Sequence, residues 1–420
     1  MADRTYDLVY VGGGSMNLVN AMYATKYGGL KVGMFEERHE AGGGWSCEES
    51  PAPGFVANHC SHVHCYYHHH APIWEDFPEW MDYGVKIVKP KVGGGTVFRE
   101  DHTWVGMYTL WEDKDGNKTY KLLSRLSEKD ADTFITLLQK WEKFIYPTLL
   151  KWIFSPPEPF PDAIERLAMN PDAGIMPEWS QMSCVQFMRD IFESPEVQTM
   201  GIRASQSMGV PPDAYGMGIA GITQMFTLRD VIGIIGGSHQ CAHASQRIIL
   251  KNGGEIYHST GVKKIIIENG KAKGILLNDG TEIEARLGVV CGASPHQLVF
   301  ELTDSGCWNP DILRKVNNLE KDWIAISWYT WALHEHPEYR ASNFDPDLQY
   351  GAWITLGRKG LDAILEEAAR RRMGLWPDPE DFQLCVGNWS ISAPGYFAPL
   401  DKSCVLTEEF VQPSTRYSEE

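Results

Sequence analysis

The sequence predicts an α/β fold with a parallel sheet near its N-terminus, and two observations support this prediction. The apolar run YDLVYV (6–11) is followed by a glycine-rich turn, a helical pattern and a second apolar run, LKVGMFE (30–36). This order predicts parallel strands, because parallel neighbours need a crossover connection. The α/β character returns at 236–254, where a glycine pair precedes a helical pattern that takes Ser238 as its N-cap.

Antiparallel strands accompany this parallel sheet. Residues 262–290 contain three short strands separated by Asn-Gly and Asp-Gly, which favour tight hairpin turns and predict a β-meander. The strand VVCGA (289–293) follows the meander. Alternating residues over 96–123, with a turn signal at 115–117, predict further antiparallel strands.

Charge and composition disfavour several classes of function. The chain carries 38 Lys and Arg against 55 Asp and Glu, so no basic excess is available to bind nucleic acid. No secretory signal is recognisable, and no apolar run reaches the ~18 residues of a membrane span. Residues 134–154 form a helical pattern interrupted at Pro147, for which we predict burial, with peripheral membrane contact as the alternative. The nine cysteines lack CxxC spacing, which predicts reduced thiols and a cytoplasmic location.

The sharpest motif is GGGS, which begins at Gly12 between the first strand and the first helix. Gly12 permits a tight turn, and Gly14 lets the backbone approach a pyrophosphate at the helix N-terminus. Glu36 ends the second strand about 20 residues later, the position suited to a ribose hydroxyl. The third glycine of the usual fingerprint is replaced by Asn17. The pattern predicts a dinucleotide-binding site.

The chain resembles the phytoene desaturase-like branch of the FAD-dependent amine oxidase and desaturase flavoproteins. A second glycine turn, GGGW at 42–45, follows the acidic strand, and this turn and the meander both favour FAD over NAD. The matching stretches run to about residue 300 and include DLVYVGGGSMNLV, VGMFEERHEAGGG, PGFVANHCSH, LSEKDADTF, GGSHQ, NGGEIYHSTGVKKIIIENGKAKGILLNDG and GASPH.

This resemblance implies two domains. One is a discontinuous Rossmann-like FAD-binding domain with a β-meander, at 1–95 and 230–300. The other is an inserted, mixed α+β substrate domain at 96–229 and 301–420. The implied FAD-binding residues are Gly12, Gly14, Ser15, Glu36, Glu37, Gly42, Gly43, Gly44, Trp45 and Val262, the last through its backbone at the adenine end.

The implied activity is that of a desaturase or dehydrogenase, which moves a hydride from a C–H bond of an apolar or cyclic small molecule to flavin N5. The alternatives are an amine-oxidase-type flavoenzyme and a non-catalytic scaffold subunit with a vestigial nucleotide-binding fold. The second glycine-rich FAD-binding segment of the family is not recognisable after residue 300. We therefore expect a second subunit to supply it, with a fragment or a degenerate protein as the alternative. Two further departures are Asn58, where an acid is usual, and Cys60, where a glycine is usual.

The segment HCSHVHCYYHHH (59–70) places six histidines and two cysteines in twelve positions. It lacks the HExxH and CxxC spacings of common metal sites. Its position in the resemblance, just after the strand that leads toward the flavin, favours a role in lining the pocket. We predict His62 and Tyr66 as candidate catalytic groups and no metal site, with metal binding and simple packing as the alternatives.

Overall fold

Two six-stranded β-sheets form the frame of the protein. The computed structural model describes residues 4–156, 158–159, 162, 165–166, 168–207, 209–319, 325–376, 378 and 383–411. The strands, in chain order, are β1 (Arg4–Val11), β2 (Val32–Phe35), β3 (Cys47–Glu48), β4 (Ala57–Asn58), β5 (His64–Cys65), β6 (Ile87–Val88), β7 (Val92–Phe98), β8 (Trp104–Tyr108), β9 (Val231–Ile234), β10 (Glu255–Tyr257), β11 (Val262–Glu268), β12 (Lys271–Leu277), β13 (Glu282–Cys291), β14 (Ala325–Leu333), β15 (Gly351–Gly357), β16 (Leu384–Gly387) and β17 (Ser403–Val411). The α-helices are α1 (Ser15–Lys26), α2 (Tyr66–Asp76), α3 (Glu79–Asp82), α4 (Asn117–Ser124), α5 (Glu128–Lys140), α6 (Tyr146–Ile153), α7 (Cys184–Ile191), α8 (Pro195–Gln206), α9 (Ala220–Thr227), α10 (His239–Lys251), α11 (Pro295–Gln297), α12 (Pro310–Asn317) and α13 (Leu361–Arg372).

The first sheet has the strand order β10-β2-β1-β13-β12-β11. Its first four strands pair in parallel, and β12 and β11 extend it by antiparallel pairing. The predicted α/β fold with a parallel sheet and a meander is therefore confirmed. The hairpin between β11 and β12 turns at Asn269 and Gly270, which both have positive φ. β13 is continuous over ten residues, so the third meander strand and the strand predicted at 289–293 form one element.

The second sheet has the order β14-β17-β16-β15-β7-β8. β15 pairs in parallel with β7, and the other neighbours pair antiparallel. A three-stranded sheet, β5-β9-β6, joins the middle of the histidine-rich segment to residues 231–234. The division into two discontinuous domains stays a prediction.

Helices cover both large sheets. The largest buried cluster packs α5, α7, α8 and α9 against the second sheet and includes Phe134, Phe187 and Phe226. A second cluster packs α1 and α10 against the parallel strands of the first sheet and includes Leu18 and Ile248. The strand and the helix on either side of the glycine-rich turn are therefore both anchored in the core.

One predicted strand is wrong, because residues 117–124 form the helix α4. Gly116 before it has a left-handed φ of 77°. The Asp113 carboxylate accepts hydrogen bonds from the N–H groups of Lys118 at 3.0 Å and Thr119 at 2.9 Å. These bonds satisfy donors that a helix leaves free at its N-terminus. The Asp113 side chain thus favours a helix here, although the alternating polarity of these residues favours a strand.

The helical pattern at 134–154 continues past Pro147. A π-helical turn at Trp141–Ile145 joins α5 to α6, and Pro147 lies in the first turn of α6, where its missing N–H costs little. α5 buries Phe134 and Leu138, whereas no residue of α6 is buried, so the predicted burial holds for the first part of the segment alone. Among the described residues, the helices are too short or too polar to cross a membrane.

A buried ion pair joins α8 to α13. The Arg203 guanidinium donates to both carboxylate oxygens of Glu367, at 2.6 and 2.8 Å. The two side chains are 1% and 5% exposed. Gln383 also accepts from Arg203, so the guanidinium is held between two elements of the second half of the chain. Such a bidentate pair stabilises the fold only while both partners are present.

Glu367→Gln is expected to lower the free energy of unfolding by about 3–5 kcal/mol, because it leaves an uncompensated charge in the interior. Glu366→Gln is the matched control, since Glu366 forms an exposed ion pair with Arg358, and we expect it to cost less than about 1 kcal/mol. Urea denaturation measures both variants. Equal losses in the two variants would contradict the importance of the buried pair.

Candidate functional site

The turn between β1 and α1 is open on one side. Gly12 has a φ of +84°, a conformation that favours glycine. A Cβ atom built on Gly12 or Gly14 would meet no atom within 4 Å, whereas one on Gly13 would come within 2.7 Å of the Ala41 Cβ. Gly14 is the N-cap of α1 and provides no side-chain hydrogen bond. The first N–H groups of α1 therefore lack intrahelical partners and lie beside open space, an arrangement that suits an anion.

The second glycine turn lies directly against the first. The Gly42 N–H donates to the Gly13 carbonyl at 2.8 Å, and Gly14 and Gly42 form an isolated parallel bridge. A Cβ on Gly43, whose φ is +57°, would come within 3.0 Å of the Gly14 Cα. Gly44 follows at the edge of the same cradle, opposite Ser61. The structure thus brings together the glycines that the sequence predicts to hold a dinucleotide.

Glu36 is fixed beside the turn. Its Oε2 accepts from the Gly13 N–H at 2.6 Å, and its Oε1 accepts from the Arg38 N–H at 2.8 Å. An ionised carboxylate offers about four acceptor positions, so two backbone bonds leave capacity for hydroxyl donors. The backbone bonds also orient the group toward the glycine turn.

Val262 lies near Glu36 and Glu37 through the chain that precedes β11. The Thr260 N–H donates to the Glu36 carbonyl at 2.7 Å, and a Cβ on Gly261 would lie 3.5 Å from the Glu37 Cγ. The predicted adenine end of the site is therefore assembled from two segments more than 200 residues apart in sequence. The cofactor roles of these residues stay predictions.

Asn17, which replaces the third fingerprint glycine, fills a space beneath the turn. Its side chain is buried, and its Nδ2 donates to the carbonyls of Val11 at 3.0 Å and Gly12 at 2.8 Å. A Cβ on Gly292 would approach the Asn17 Nδ2 to 2.6 Å, so the glycine after β13 provides the room that this larger residue needs. The departure from the fingerprint is thus compensated locally.

A cavity of about 830 Å³ opens beside the N-terminus of α1. Its apolar wall comes mainly from α1, α2 and the end of α6, with Val63 from the segment before β5, and includes Met16, Val19, Val63, Pro72, Ile73, Ile153 and Phe154. Its polar wall includes Ser15, Ser61, His64, His68, His69 and His70, and Trp45 also lines it. A cavity that is largely apolar with a few convergent polar groups is typical of a small-molecule site.

Two of these histidines form a hydrogen-bonded pair. His64 Nδ1 lies 2.9 Å from His70 Nε2, and His64 Nε2 lies 2.8 Å from the Ser238 hydroxyl. The Ser238 hydroxyl donates to the Ser61 carbonyl, so it accepts from the His64 Nε2–H. The His64 Nδ1 then carries the lone pair and accepts from the His70 Nε2–H. Ser238 is at the N-cap of α10 as predicted, but its hydroxyl serves this chain of hydrogen bonds and makes no capping bond.

Burial keeps the imidazoles of this wall uncharged. It lowers the pKa of His64 to about 3 and holds the pKa of His70 well below its usual range. Neighbouring imidazoles lower these pKa values further. Near neutral pH the wall therefore offers neutral rings that donate at one nitrogen and accept at the other.

The two predicted catalytic groups lie elsewhere. His62 is buried against the second sheet, where its Nδ1 is 3.4 Å from the Glu408 Oε1, and the Trp389 indole donates to the His62 carbonyl at 2.6 Å. The Tyr66 ring stacks on Trp74 with centroids 5.1 Å apart. Among the described residues that line the 830 Å³ cavity, neither His62 nor Tyr66 occurs. Their catalytic roles stay predictions.

Asn58 and Cys60 also have defined positions. The Asn58 Oδ1 accepts from the Ser238 N–H and from the Cys47 thiol, both at 2.9 Å. A neutral amide thus joins β4 to the start of α10 at the position where the family has an acid. Cys60 is exposed, with its Sγ 3.6 Å from a Cβ built on Gly44.

Asp230 holds the histidine-rich segment through hydrogen bonds. No motif in the sequence indicated this residue. Its carboxylate accepts from the Tyr67 N–H at 2.7 Å and from the Tyr146 hydroxyl at 2.9 Å. Burial raises the pKa of Asp230 to about 6, although these hydrogen bonds act in the opposite direction. Ile153 and Phe154, at the end of α6, are further cavity residues that the sequence did not indicate.

The fold and the paired glycine turns resemble one class of protein, the oxidoreductases of the desaturase and amine-oxidase type. No protein-family model matches the chain. One subunit of the limonene dehydrogenase of Castellaniella defragrans is 24% identical over 275 residues, which cover 64% of this chain and 47% of that protein. A 4,4'-diapophytoene desaturase of a Methylomonas species is 44% identical over 48 residues, 11% of this chain and 9% of that protein. The chain thus spans less than half the length of the curated relatives it matches.

Solved structures share the fold over nearly the whole chain. An oxidoreductase from Methanosarcina mazei has a TM-score of 0.61 at 17% identity, covering 97% of this chain and 80% of its own. Putrescine oxidase bound to putrescine has a TM-score of 0.54 at 14% identity, covering 98% of this chain and 76% of its own. The resemblance predicted from the sequence is confirmed by these relatives and structures together.

The stability of the protein is expected to depend on pH through Asp230. The folded-state pKa lies above the ordinary value of 3.8, so the folded state binds the proton more tightly than the unfolded chain. The resulting stabilisation is complete below about pH 4 and is lost as the pH rises through about 6, a total of about 3 kcal/mol. Asp230→Asn removes this dependence.

Denaturant unfolding of the protein and of Asp230→Asn, from about pH 4 to about pH 7, measures this dependence. The difference between their free energies of unfolding should change by about 2 kcal/mol over this range, because the unfolded carboxyl is already partly ionised at pH 4. Other titrating groups cancel in the difference. A difference that does not vary with pH would contradict the raised pKa.

Proposed function

We propose that this chain is the FAD-binding subunit of an oxidoreductase of the desaturase or dehydrogenase type, which acts on an apolar or cyclic small molecule. The observation that carries the proposal is the open cradle over Gly12 and Gly14 at the uncapped start of α1. The second glycine turn borders this cradle through the bridge between Gly14 and Gly42. A close backbone approach to a pyrophosphate requires an arrangement of this kind.

The residues present fit FAD. The N–H groups of Ser15 and Met16 would bind the pyrophosphate, and Glu36 would accept from the ribose hydroxyls. Glu37 and the backbone of Val262 would border the adenine, and Gly44 and Trp45 would continue the site toward the cavity. When bound, FAD supplies a hydride acceptor at its N5.

The chain itself supplies orientation and an environment low in water. The apolar wall of the 830 Å³ cavity would bind a hydrocarbon substrate beside the glycine turns. The imidazoles of His64 and His70 would line the polar side of this substrate site. The relative from Castellaniella defragrans is named for a cyclic hydrocarbon, limonene, which supports this substrate class.

We also propose that the active enzyme contains a second subunit. The same relative is named as one subunit of its dehydrogenase, which supports this proposal. Met16, at the start of α1, is 83% exposed, and Phe154, at the end of α6, is 44% exposed, so the mouth of the cavity has apolar surface that a partner would cover. We propose further that the protein is cytoplasmic and does not bind nucleic acid.

The visible absorption spectrum of the purified protein tests the function directly. We expect flavin absorption from the chain or from its complex with a copurified subunit, and bleaching when a cyclic hydrocarbon such as limonene is added without oxygen. Bleaching by putrescine in place of the hydrocarbon would favour the amine-oxidase alternative, which the likeness to putrescine oxidase supports. A preparation that binds no FAD under any condition would favour the scaffold alternative.

Gly14→Ala is expected to weaken FAD binding at least about ten-fold, because its methyl group would occupy the cradle where the pyrophosphate approaches the backbone. Stability should change by less than about 1 kcal/mol, since Gly14 has φ −64° and ψ 165°, which alanine adopts easily, and its Cβ meets no atom within 4 Å. Gly288→Ala, in β13, is the matched control, because a Cβ there also meets no atom within 4 Å.

Fluorescence titration with FAD and thermal unfolding measure the two effects on both variants. The proposal requires that Gly14→Ala alone reduces affinity. If both variants bind FAD like the unmodified protein, the cradle is not the pyrophosphate site.

A further inference from the structure

The histidine-rich segment contains a cluster to which no part in FAD binding has been assigned. One ring nitrogen from each of His64, His69 and His70 lies within 4.8 Å of the others. All three side chains line the 830 Å³ cavity. We propose that these three histidines bind one divalent transition-metal ion of the Zn²⁺ class.

The donor set suits such an ion. Imidazole nitrogens bind Zn²⁺, Cu²⁺, Fe²⁺ and Ni²⁺, whereas Ca²⁺ and Mg²⁺ prefer oxygen. Two nitrogens on a tetrahedral Zn²⁺, each about 2.0–2.1 Å from the metal, lie about 3.3 Å apart. The present 2.9 Å between His64 Nδ1 and His70 Nε2 needs an opening of only a few tenths of an ångström. Three protein ligands leave a further coordination position, as in catalytic rather than structural zinc sites.

The tautomer of His64 leaves its Nδ1 lone pair available to a metal ion. A metal-bound imidazole usually donates its other N–H to a nearby acceptor, which fixes the ring. Here the His64 Nε2–H donates to the Ser238 hydroxyl, which is itself held by the Ser61 carbonyl. The lone pair of His64 Nδ1 consequently points toward His70. This outer support comes from a residue 174 positions away in sequence.

His70 can change tautomer when the ion binds. Its Nδ1 is buried and has no hydrogen-bond partner among the described residues. When Nε2 gives up its proton to bind the metal, Nδ1 can take one, so the ring stays neutral and the proton count of the ring is unchanged.

His69 is the exposed member of the cluster. Its Nδ1 accepts from the Cys65 N–H at 3.0 Å, which orients the ring. The residue is exposed at the cavity, so its replacement leaves the core undisturbed.

A second cluster, His62, Cys385 and Glu408, also brings three donor atoms within 4.8 Å. Metals bind the thiolate form of cysteine, but burial raises the pKa of Cys385 well above its usual range. The thiol therefore stays protonated near neutral pH. This cluster is the competing site within the chain, and the experiment has to distinguish the two.

The test is a titration of the full chain, freed of metal and flavin, with Zn²⁺ by calorimetry and with Co²⁺ by visible absorption. We expect one ion per chain. His69→Ala should lower the affinity at least about ten-fold, and His64→Ala and His70→Ala should do the same. His68→Ala, in the same helix but outside the cluster, is the matched control and should bind like the unmodified protein. His69→Ala is the decisive variant, because His69 is exposed and its replacement leaves the core intact.

Thermal unfolding of each variant separates loss of the site from loss of the fold. Absence of Zn²⁺ binding, or binding that His69→Ala leaves unchanged, would overturn the proposal. So would loss of binding in His62→Ala with retention in His69→Ala, since the ion would then occupy the competing cluster. The inference does not depend on the flavin hypothesis, because the titration uses flavin-free protein.

Discussion

The contact between two glycine turns is the constraint on which the whole site depends. Gly14 and Gly42 approach so closely that their backbones pair, and a side chain on Gly43 would collide with the Gly14 Cα. Glu36 ties its own strand to the first turn through the Gly13 N–H. These contacts fix the start of α1, whose free N–H groups and exposed face border the cavity. The proposed cofactor cradle takes its position from this junction.

The parts of the fold that depend on local backbone chemistry could be predicted from the sequence. The positive φ at Asn269 and Gly270 follows from residue type, as does the tight turn at Gly12. The α4 segment could not be predicted in the same way, because its helical state depends on a cap from the Asp113 side chain. Alternating polarity alone favoured a strand there, and the capping bonds outweighed it.

The sequence predicted that the two glycine turns and Glu36 lie together, but it did not predict the polar contacts around them. The glycines and Glu36 lie in short motifs, so their meeting was foreseeable. The Ser238 hydroxyl had an ordinary local role as a helix cap, and its actual bond to His64 spans 174 residues. Asp230, which holds the Tyr67 N–H, likewise acts across a distance that no spacing rule covers. These contacts join residues more than 160 positions apart, so no local pattern in the sequence reveals them.

The fold alone leaves the chemistry open, because the solved structures that share it are under 20% identical to this chain. The central claim is that the start of α1 binds a pyrophosphate. A crystal structure of the chain soaked with FAD, together with its second subunit if one copurifies, tests this most directly. We expect phosphate oxygens within hydrogen-bond distance of the Ser15 and Met16 N–H groups and a ribose hydroxyl at Glu36. Density for FAD at any other place in the chain, with the glycine turns empty, would contradict it.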